Sequence, residues 1–339
     1  MRQPSLHELL GVSDPRRAGR PTAPGHLELY SYFSGAGGFC TGAAQAGCRV
    51  VYACDNCPRA LETHRRNHPQ TEHQCLLLPS PEAAARLPTD GRRFHVHCSP
   101  PCIKFSKICD VNAAKGNVAT RGQAQAVAMV EWSLALMLGS RCTSWSMEQV
   151  ASPGVVAALE RAQQLHPGRV AWAKCDLSLL GVPQTRTRLI AGTPRLIACL
   201  ERQMSTARRR TAGSVLRMPR GTHLRQGCSS YQGKLRLNRA PGQTKYLQRR
   251  IMWSNSCASL DGLAHTVRGR HAHCWVTIRD GKAISHCVMW PSELAALQTF
   301  PKGYKLPLRK SDAYLQVGNA VPPLVAKLLL KREARESRA

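Results

Sequence analysis

The stretch Phe94-His95-Val96-His97, followed by Ser99-Pro100-Pro101-Cys102-Ile103-Lys104-Phe105-Ser106, combines a short predicted strand with a stiff turn. Two consecutive prolines fix φ and remove two backbone donors, so the chain has to leave the sheet at this point. The turn holds a single thiol at the carboxyl end of a strand, where α/β sheets place their ligands. Cys102 is therefore a candidate nucleophile. Most unpaired cysteines are buried and inert, so this stretch alone leaves both interpretations open.

The segments on either side of this turn alternate between predicted strands and predicted helices. The predicted strands are 27–33, 49–53, 94–97, 143–147, 169–174 and 189–192, and the predicted helices include 57–67, 123–138 and 152–165. Ser152 and Pro153 form an N-cap and first-turn pair for the last of these helices. Such alternation predicts an α/β fold with a mostly parallel, doubly wound sheet.

Two features near the start of the alternation suggest a nucleotide-like ligand. The turn Ser34-Gly35-Ala36-Gly37-Gly38-Phe39 joins the first strand to a helix, where glycines let a ligand approach the backbone and the helix N–H groups. Asp55 ends the second strand, a position suited to bonding ribose hydroxyls. The alternatives are a tight connection for the glycines and a charge that complements the helix dipole for Asp55.

Charged residues also stand where later strands begin or end. Glu148 closes the predicted strand 143–147, while Arg186 and Arg188 precede the strand 189–192. A glutamate at a strand end is most often a solvated loop charge. Placed across one crevice from a candidate nucleophile and two arginines, Glu148 becomes a candidate acid.

The charge of the chain is strongly positive and unevenly distributed. Among 339 residues there are 48 Lys and Arg against 20 Asp and Glu, a net charge of +28. Residues 195–285 hold 18 basic and 3 acidic residues, a net charge of +15 in 91 positions. A solvated basic surface would explain this, but a polyanion partner explains it better, because phosphate neutralisation dominates nucleic-acid affinity.

Composition also restricts the compartment and the kind of site. No apolar run approaches the roughly 20 residues that span a bilayer, and the N-terminus lacks the apolar core of a signal peptide. The 15 cysteines are scattered without a repeating framework, so we expect reduced thiols in an intracellular protein. Cys54 and Cys57 form the only CxxC pair, which is weak evidence for zinc, and we expect no metal.

Composition shifts along the chain predict its domain organisation. Residues 1–26 are rich in Pro, Arg and Gly and are expected to form a flexible basic tail. Residues 27–194 carry the alternation, residues 195–285 are expected to form a separate small domain of irregular β structure, and residues 286–335 return to the first domain. We expect a monomer.

Six motifs then occur in a recognisable order. They are Phe33-Ser34-Gly35-Ala36-Gly37-Gly38-Phe39, Pro100-Pro101-Cys102, Glu148-Gln149-Val150, Gln184-x-Arg186-x-Arg188, the run Glu293-Leu294-Ala295-Ala296-Leu297-Gln298-Thr299-Phe300-Pro301, and Gly318-Asn319-Ala320-Val321. Each is weak alone, but together they are specific. From about Leu27 to Leu330 the chain resembles the DNA (cytosine-5) methyltransferase family.

The resemblance implies a Rossmann-like methyltransferase domain that binds S-adenosylmethionine, with a smaller target-recognition domain in residues 195–285. Phe33 would contact the adenine and Asp55 the ribose. The implied cofactor-binding residues are Phe33, Ser34, Gly35, Gly37, Gly38, Asp55, Pro100, Gly318, Asn319 and Val321. Double-stranded DNA would be the partner, in the nucleus of a eukaryote or the cytoplasm of a prokaryote or virus-infected cell.

The resemblance also implies a reaction. A Cys102 thiolate would add to carbon 6 of a flipped-out cytosine, Glu148 would donate a proton to ring N3, and Arg188, helped by Arg186, would hold the O2 side. After methyl transfer a base would remove the carbon-5 proton and the thiolate would leave. The implied DNA-binding residues are Ser106, Arg208, Arg209, Arg210, Arg249, Arg250 and Thr266.

Several positions depart from the family pattern. Gln149 replaces an asparagine that usually braces the Pro-Pro-Cys turn, Ile103 replaces a glutamine, and Asn56 stands where a residue meeting the adenine is often apolar. Cys287 replaces the arginine that opens the late Glu293 motif. Two alternatives therefore stay open: a tRNA cytosine-5 methyltransferase of the same fold, and a catalytically weakened relative that only binds nucleic acid.

Overall fold

The computed structural model describes residues 26–101, 118–206, 208–216, 248–253, 256–259, 261–269, 274–279 and 282–337. The predictions for the tail 1–25, for Cys102 and for Ser106 lie outside these residues. So do the predictions for the side chains of Arg249 and Arg250, for which only the backbone is described.

A seven-stranded sheet organises the larger part of the described chain. Its strands are β1 (Glu28–Tyr32), β2 (Arg49–Asp55), β3 (Glu72–Cys75), β4 (Phe94–Cys98), β5 (Ser144–Gln149), β6 (Ala171–Asp176) and β7 (Thr187–Gly192). Their order across the sheet is β3-β2-β1-β4-β5-β7-β6. The chain moves outward from β1 to β3 and then crosses back to β4, so the order reverses between β1 and β4. Ligands of doubly wound sheets bind beside such a reversal, at the carboxyl ends of the strands.

β7 is the exception in this sheet, because it runs antiparallel to both β5 and β6 while the other paired strands are parallel. The start of β7 therefore lies at the same edge as the ends of β1, β2, β4 and β5. Because β7 is reversed, residues at its start reach the same edge of the sheet as the residues that follow the other strands.

Helices cover both faces of the sheet. They are α1 (Gly38–Ala46), α2 (Pro58–Asn67), α3 (Pro81–Ala84), α4 (Val118–Gly139), α5 (Pro153–Leu165), α6 (Pro194–Thr206), α7 (Ala212–Val215), α8 (Pro291–Leu297), α9 (Lys310–Asn319) and α10 (Pro323–Glu336). One core holds β-strand residues with α4 and α5, and a second core holds the opposite face with α1, α6 and α10. The predicted doubly wound α/β fold is confirmed.

Local sequence signals account for several helix ends. The Ser152 hydroxyl accepts a hydrogen bond from the Val155 N–H at 3.5 Å, and Pro153 occupies the first turn of α5, as the sequence predicts. α1 ends at Gly47, which has φ of 97°, a left-handed conformation that glycine adopts at little cost.

The C-terminal helix returns to the first helix of the fold. α10 packs against α1 so closely that a Cβ atom at Gly42 would lie 1.9 Å from the carbonyl oxygen of Pro323. Only glycine permits this approach. The return of residues 286–335 to the first domain therefore has a direct packing basis.

The structure corrects the expected start of the small domain. Leu196, Ile197 and Leu200 of α6 are buried in the second core together with Val325 and Leu329 of α10. An amphipathic helix buries its apolar face wherever a core is available. Residues 194–206 thus belong to the large sheet and not to a separate unit.

A second sheet lies further along the basic segment. Its strands are β8 (Gln248–Trp253), β9 (Ser256–Ser259), β10 (Cys274–Arg279) and β11 (Lys282–Val288), in the order β11-β10-β8-β9. Each neighbouring pair is antiparallel. These four strands form a regular antiparallel sheet, whereas the sequence predicted irregular β structure in this segment.

Candidate active site

A cavity of about 260 Å³ opens at the sheet edge where β1, β2, β4 and β5 end. Its wall brings together the Gly-rich turn, Asp55, the Pro100-Pro101 turn, Glu148 and the segment after α9. The Gly-rich turn and the segment after α9 lie near opposite ends of the chain. Parallel strands bring them together because their carboxyl ends share one edge.

Asp55 braces the Gly-rich turn. Its Oδ2 accepts the Gly35 N–H at 2.8 Å, and its Oδ1 accepts the Cys57 N–H at 2.9 Å. Burial raises the pKa of the Asp55 carboxyl, and the backbone N–H groups that it accepts oppose that rise. Asp55 also lines the cavity, which the predicted contact with a ribose requires. The same carboxylate holds the turn in place.

The turn offers room and an unused polar atom. A Cβ atom at Gly35 would meet no heavy atom within 4 Å, so the space beside it is open. The Ser34 Oγ is shielded from solvent and has no hydrogen-bond partner within the described part of the chain. A buried polar atom without a partner is costly, and a ligand with hydroxyl or amino groups would relieve that cost. This arrangement fits S-adenosylmethionine, with Phe33, Asn319 and Val321 also lining the cavity.

Two of the predicted cofactor-binding residues, Gly37 and Gly318, lie where the chain is closely packed. A Cβ atom at Gly37 would lie 2.9 Å from the His64 ring, and one at Gly318 would lie 2.1 Å from the backbone of Gly269. Neither glycine belongs to the cavity wall. Both glycines are required for close packing, and their contact with the cofactor stays a prediction. Gly38 remains in the wall, although its Cβ position faces the Val321 carbonyl oxygen.

Gln149 braces the turn that leads to Cys102. Its Nε2 donates to the Pro100 carbonyl oxygen at 3.0 Å, and its Oε1 accepts the Val150 N–H at 2.7 Å. Gln149 is fully buried, so these bonds are shielded from water. The side chain that departs from the family pattern by one methylene thus still reaches the turn. Pro100 and Pro101 line the cavity, and Cys102 follows them directly in sequence.

Glu148, which lines the cavity, forms a largely buried ion pair with Arg188. Arg188 Nε lies 3.0 Å from Glu148 Oε1, and the side chains of Arg188 and Glu148 are 13% and 11% exposed respectively. The N–H does not point along this contact, so it is an ion pair and not an aligned hydrogen bond. Glu148 pairs with Ile190 in the antiparallel ladder, which makes Arg188 its diagonal neighbour on the same face.

Arg186 lies elsewhere. Its guanidinium is buried and donates to the carbonyl oxygens of Val267 at 3.0 Å, Gly318 at 3.4 Å and Ala320 at 3.2 Å. Arg186 is absent from the cavity wall. Its donors hold the end of α9 and the residue that follows it, and the role of Arg186 beside Arg188 at the base stays a prediction.

The predicted DNA-binding residues that the structure describes occupy two places. Thr266 donates its hydroxyl to the Thr185 carbonyl oxygen, which ties it to the loop before β7. Arg208, Arg209 and Arg210 are exposed, but Arg209 pairs with Asp176 at 3.2 Å and donates to the Ser178 hydroxyl at 3.1 Å. Arg208 and Arg210 are thus the better placed of the three for an external anion.

Sequence reasoning missed several residues of the wall. His97, Ser99, Phe39, Leu315 and Gln316 all line the cavity. His95 and His97 alternate along the strand that leads to the Pro-Pro-Cys turn, and two polar rings in a buried strand were the available signal. Nothing in the local sequence places Leu315 or Gln316 there, because α9 reaches the cavity only through the C-terminal return.

A comparison with protein families gives a match in the C-terminal part of the chain. Residues 169–334 match the family model of the C-5 cytosine-specific DNA methylases. The match thus covers β6, β7, the second sheet and the C-terminal helices. Such a family implies S-adenosylmethionine as the methyl donor and cytosine as the acceptor. No curated protein matches the chain.

Solved structures share the fold over nearly the whole chain. A DNA modification methyltransferase encoded within an E. coli prophage matches with a TM-score of 0.58 and 18% identity, covering 90% of this chain and 97% of that one. Schizosaccharomyces pombe Dnmt2 methyltransferase matches with 0.56 and 14%, covering 91% and 98%. Entamoeba histolytica methyltransferase EhMeth matches with 0.59 and 12%, covering 91% and 99%. At these identities the likeness extends to the fold alone.

The described residues lack two further kinds of feature. None of their helices is both long enough and apolar enough to cross a membrane. Among the same residues, no three His, Cys, Asp or Glu side chains are arranged to hold a metal ion.

Proposed function

We propose that this protein methylates carbon 5 of cytosine in DNA, using S-adenosylmethionine and a Cys102 nucleophile. The observation that carries the proposal is the convergence on one cavity of the Gly-rich turn, the Pro-Pro turn that leads into Cys102, and Glu148, whose carboxylate pairs with Arg188. When bound, S-adenosylmethionine supplies an electrophilic methyl group. Ser34, Gly35 and Asp55 would hold it at the carboxyl ends of β1 and β2.

The residues of the chain account for the remaining steps. Carbon 5 of cytosine is too weak a nucleophile to accept a methyl group unaided. Addition of the Cys102 thiolate to carbon 6 makes the ring electron-rich at carbon 5. A proton from Glu148 to ring N3 would relieve the developing charge, and Arg188, which touches Glu148, would hold the O2 side. Once carbon 5 has taken the methyl group, a base would accept the carbon-5 proton, which restores the 5,6 double bond and expels the thiolate.

The substrate would have to leave the duplex to react. The ring face that Cys102 attacks is stacked in double-stranded DNA, so the base must be flipped into the cavity. The second sheet, β8 to β11, lies within the basic segment 195–285 apart from the end of its last strand, and we propose it as part of a target-recognition domain. The charge of this segment suits a phosphate backbone.

The bracing of the Pro-Pro turn argues against a purely binding relative. Gln149 keeps its bond to Pro100 despite the change from asparagine, and Glu148 keeps an arginine partner. A chain that only binds nucleic acid has no physical need for this buried constellation.

Replacement of the nucleophile tests the proposal directly. Cys102→Ser is expected to abolish methylation and leave the fold intact, because a hydroxyl is far less ionised and less nucleophilic than a thiol. DNA containing 5-fluorocytosine should form a covalent adduct with the wild type and not with the variant, since fluorine blocks proton loss.

The matched control is Cys75→Ser, because Cys75 is exposed and distant in sequence from the Pro-Pro turn. It should trap DNA like the wild type. Trapping by Cys102→Ser would place the nucleophile elsewhere. Trapping of a 5-fluorocytosine RNA in preference to DNA would replace DNA by RNA as the substrate.

A further inference from the structure

A chain of buried hydrogen bonds crosses the sheet beneath the cavity. It runs from the Ser144 hydroxyl to His95 Nδ1 at 2.7 Å, from His95 Nε2 to the Ser146 hydroxyl at 2.8 Å, and from Ser146 to His97 Nδ1 at 2.8 Å. It ends with His97 Nε2 and the Ser99 hydroxyl at 2.7 Å. The reaction of the proposed function uses none of these groups.

Both histidines in this chain are neutral at ordinary pH. Burial lowers the pKa of His95 to about 3 and holds the pKa of His97 well below its usual range. A neutral imidazole donates from one nitrogen and accepts at the other. Because each serine hydroxyl has a single proton, Ser146 can donate to only one of the two rings, and at least one ring must donate to it. The position of each member therefore depends on its neighbours.

His97 is the point where three parts of the cavity wall meet. Its ring stacks on Phe39, with centroids 3.3 Å apart and planes 5° apart, and Phe39 directly follows the Gly-rich turn. Its Nε2 bonds Ser99, which opens the Pro100-Pro101-Cys102 turn. Its Nδ1 bonds Ser146, two residues before Glu148 on β5.

We infer that His97 is a positioning residue that couples occupation of the Gly-rich turn to the reactivity of Cys102. A ligand that orders the Gly-rich turn fixes Phe39, and the stacked ring then fixes the plane of His97. That plane sets the direction of the bond to Ser99, where the turn carrying the thiol begins. This inference rests on the proposed function for the identity of the ligand and goes beyond it in assigning a role to His97 and Ser99.

Alkylation of Cys102 measures the coupling without requiring turnover. The full chain is treated with iodoacetamide, with and without saturating S-adenosylhomocysteine, and the rate at Cys102 is read by mass spectrometry of its peptide. In the wild type we expect the ligand to change this rate about five-fold or more, the lower end of ordinary coupling between sites. Affinity for S-adenosylhomocysteine is measured in parallel by calorimetry.

Two variants separate the contacts of His97. His97→Phe retains a ring to stack on Phe39 and removes both hydrogen bonds, so the ligand should still bind but should no longer change the Cys102 rate. Ser99→Ala removes only the bond to the turn and lies at the cavity edge, so it serves if His97→Phe does not fold. Thermal melting establishes that each variant is folded.

Ser144→Ala is the matched control, because it deletes a hydroxyl from the far end of the same chain and leaves His97 with all its partners. It should keep the wild-type rate ratio. If the wild type binds S-adenosylhomocysteine but its Cys102 alkylation rate does not change, the inference is overturned and the proposed function is not. The inference is also overturned if His97→Phe and Ser99→Ala both keep the wild-type ratio of Cys102 alkylation rates with and without the ligand. Failure of the wild type to bind S-adenosylhomocysteine would instead overturn the proposed function.

Discussion

Glu148 illustrates how a single residue gains its role from its surroundings. A strand-end glutamate is ordinarily solvated, but here only 8% of Glu148 is exposed and its carboxylate touches Arg188. A buried carboxylate without a partner would be strongly destabilising, so the arginine is a condition for keeping the acid in the cavity. The pair therefore combines a structural requirement with a chemical one.

The proposed acid role of Glu148 predicts a kinetic signature. Glu148→Gln keeps the shape of the side chain and removes the transferable proton, so turnover should fall by roughly 10²- to 10⁴-fold. DNA affinity should change far less. Single-turnover methylation and a fluorescence binding titration measure the two quantities. Equal losses in rate and affinity would show that Glu148 is structural, and Glu131→Gln, on the surface, serves as the control.

At the scale of elements, the Gly-rich turn is held from two sides. Asp55 accepts the Gly35 N–H on the cavity side, and the buried His64 ring fills the space behind Gly37. The two glycines have φ of 52° and 89°, both in the left-handed region. Their side-chain positions point to different surroundings, which makes them separable by mutation.

Gly35→Ala and Gly37→Ala are therefore expected to fail differently. Both should lose about 1–2 kcal/mol of unfolding free energy from the left-handed backbone. Gly37→Ala should lose more, because its Cβ would lie 2.9 Å from His64. Gly35→Ala places its methyl group in the open cavity and should weaken S-adenosylhomocysteine binding. Urea denaturation and calorimetry test the pair, and the reverse ranking in stability would contradict this description of the turn.

For the whole molecule, the net charge of +28 is the dominant electrostatic feature. If the basic segment neutralises about 6–10 phosphates, DNA affinity should fall roughly 10³- to 10⁵-fold between 50 and 200 mM salt. The pairing of Arg209 with Asp176 distinguishes it from Arg208 and Arg210. An arginine already paired has less charge to offer to phosphate.

The salt dependence of DNA binding tests this distinction. Replacing Arg208 and Arg210 by alanine should lower the slope of log affinity against log salt by about 0.9 for each phosphate that is no longer neutralised. Sequence preference should remain, because arginines bound to phosphate position the duplex without reading it. Arg209→Ala should change the slope less than either of the other two. An unchanged slope in the double variant would remove the cluster from the interface.

Buried histidines give the whole fold a pH dependence. Burial lowers the pKa of His68 to about 4 and of His95 to about 3, against 6.5 in the unfolded chain. Below pH 6.5 the unfolded state therefore binds more protons than the folded state, and the free energy of unfolding falls with acidification. Each such histidine should cost roughly 1 kcal/mol at pH 5.5.

Urea denaturation at neutral and mildly acidic pH measures this effect. His68→Gln should reduce the loss of stability on acidification, because the variant has one fewer group to protonate in the unfolded chain. His26→Gln provides the control, since His26 is exposed in the folded protein. A wild-type stability that is flat down to about pH 5.5 would contradict the neutral, buried state of these rings.

The sequence by itself predicted six of the seven strands of the large sheet, together with the positions of the candidate nucleophile, the Gly-rich turn and the acids at strand ends. These follow from local signals: apolar runs, glycines with permitted left-handed φ, and prolines that force the chain out of a sheet. Alternation then implies a parallel sheet whose carboxyl ends share an edge, which is why Asp55, Pro100 and Glu148 were expected to meet.

Only the tertiary structure decided which arginine pairs with Glu148, which core α6 joins and what His97 contacts. Arg186 and Arg188 look equivalent in sequence, yet one lies beside Glu148 and the other bonds Gly318, 132 positions away. α6 joins the second core because α10 returns to cover it, and His97 meets Phe39 across the sheet. Each outcome depends on a partner far along the chain, and local periodicity carries no information about such partners.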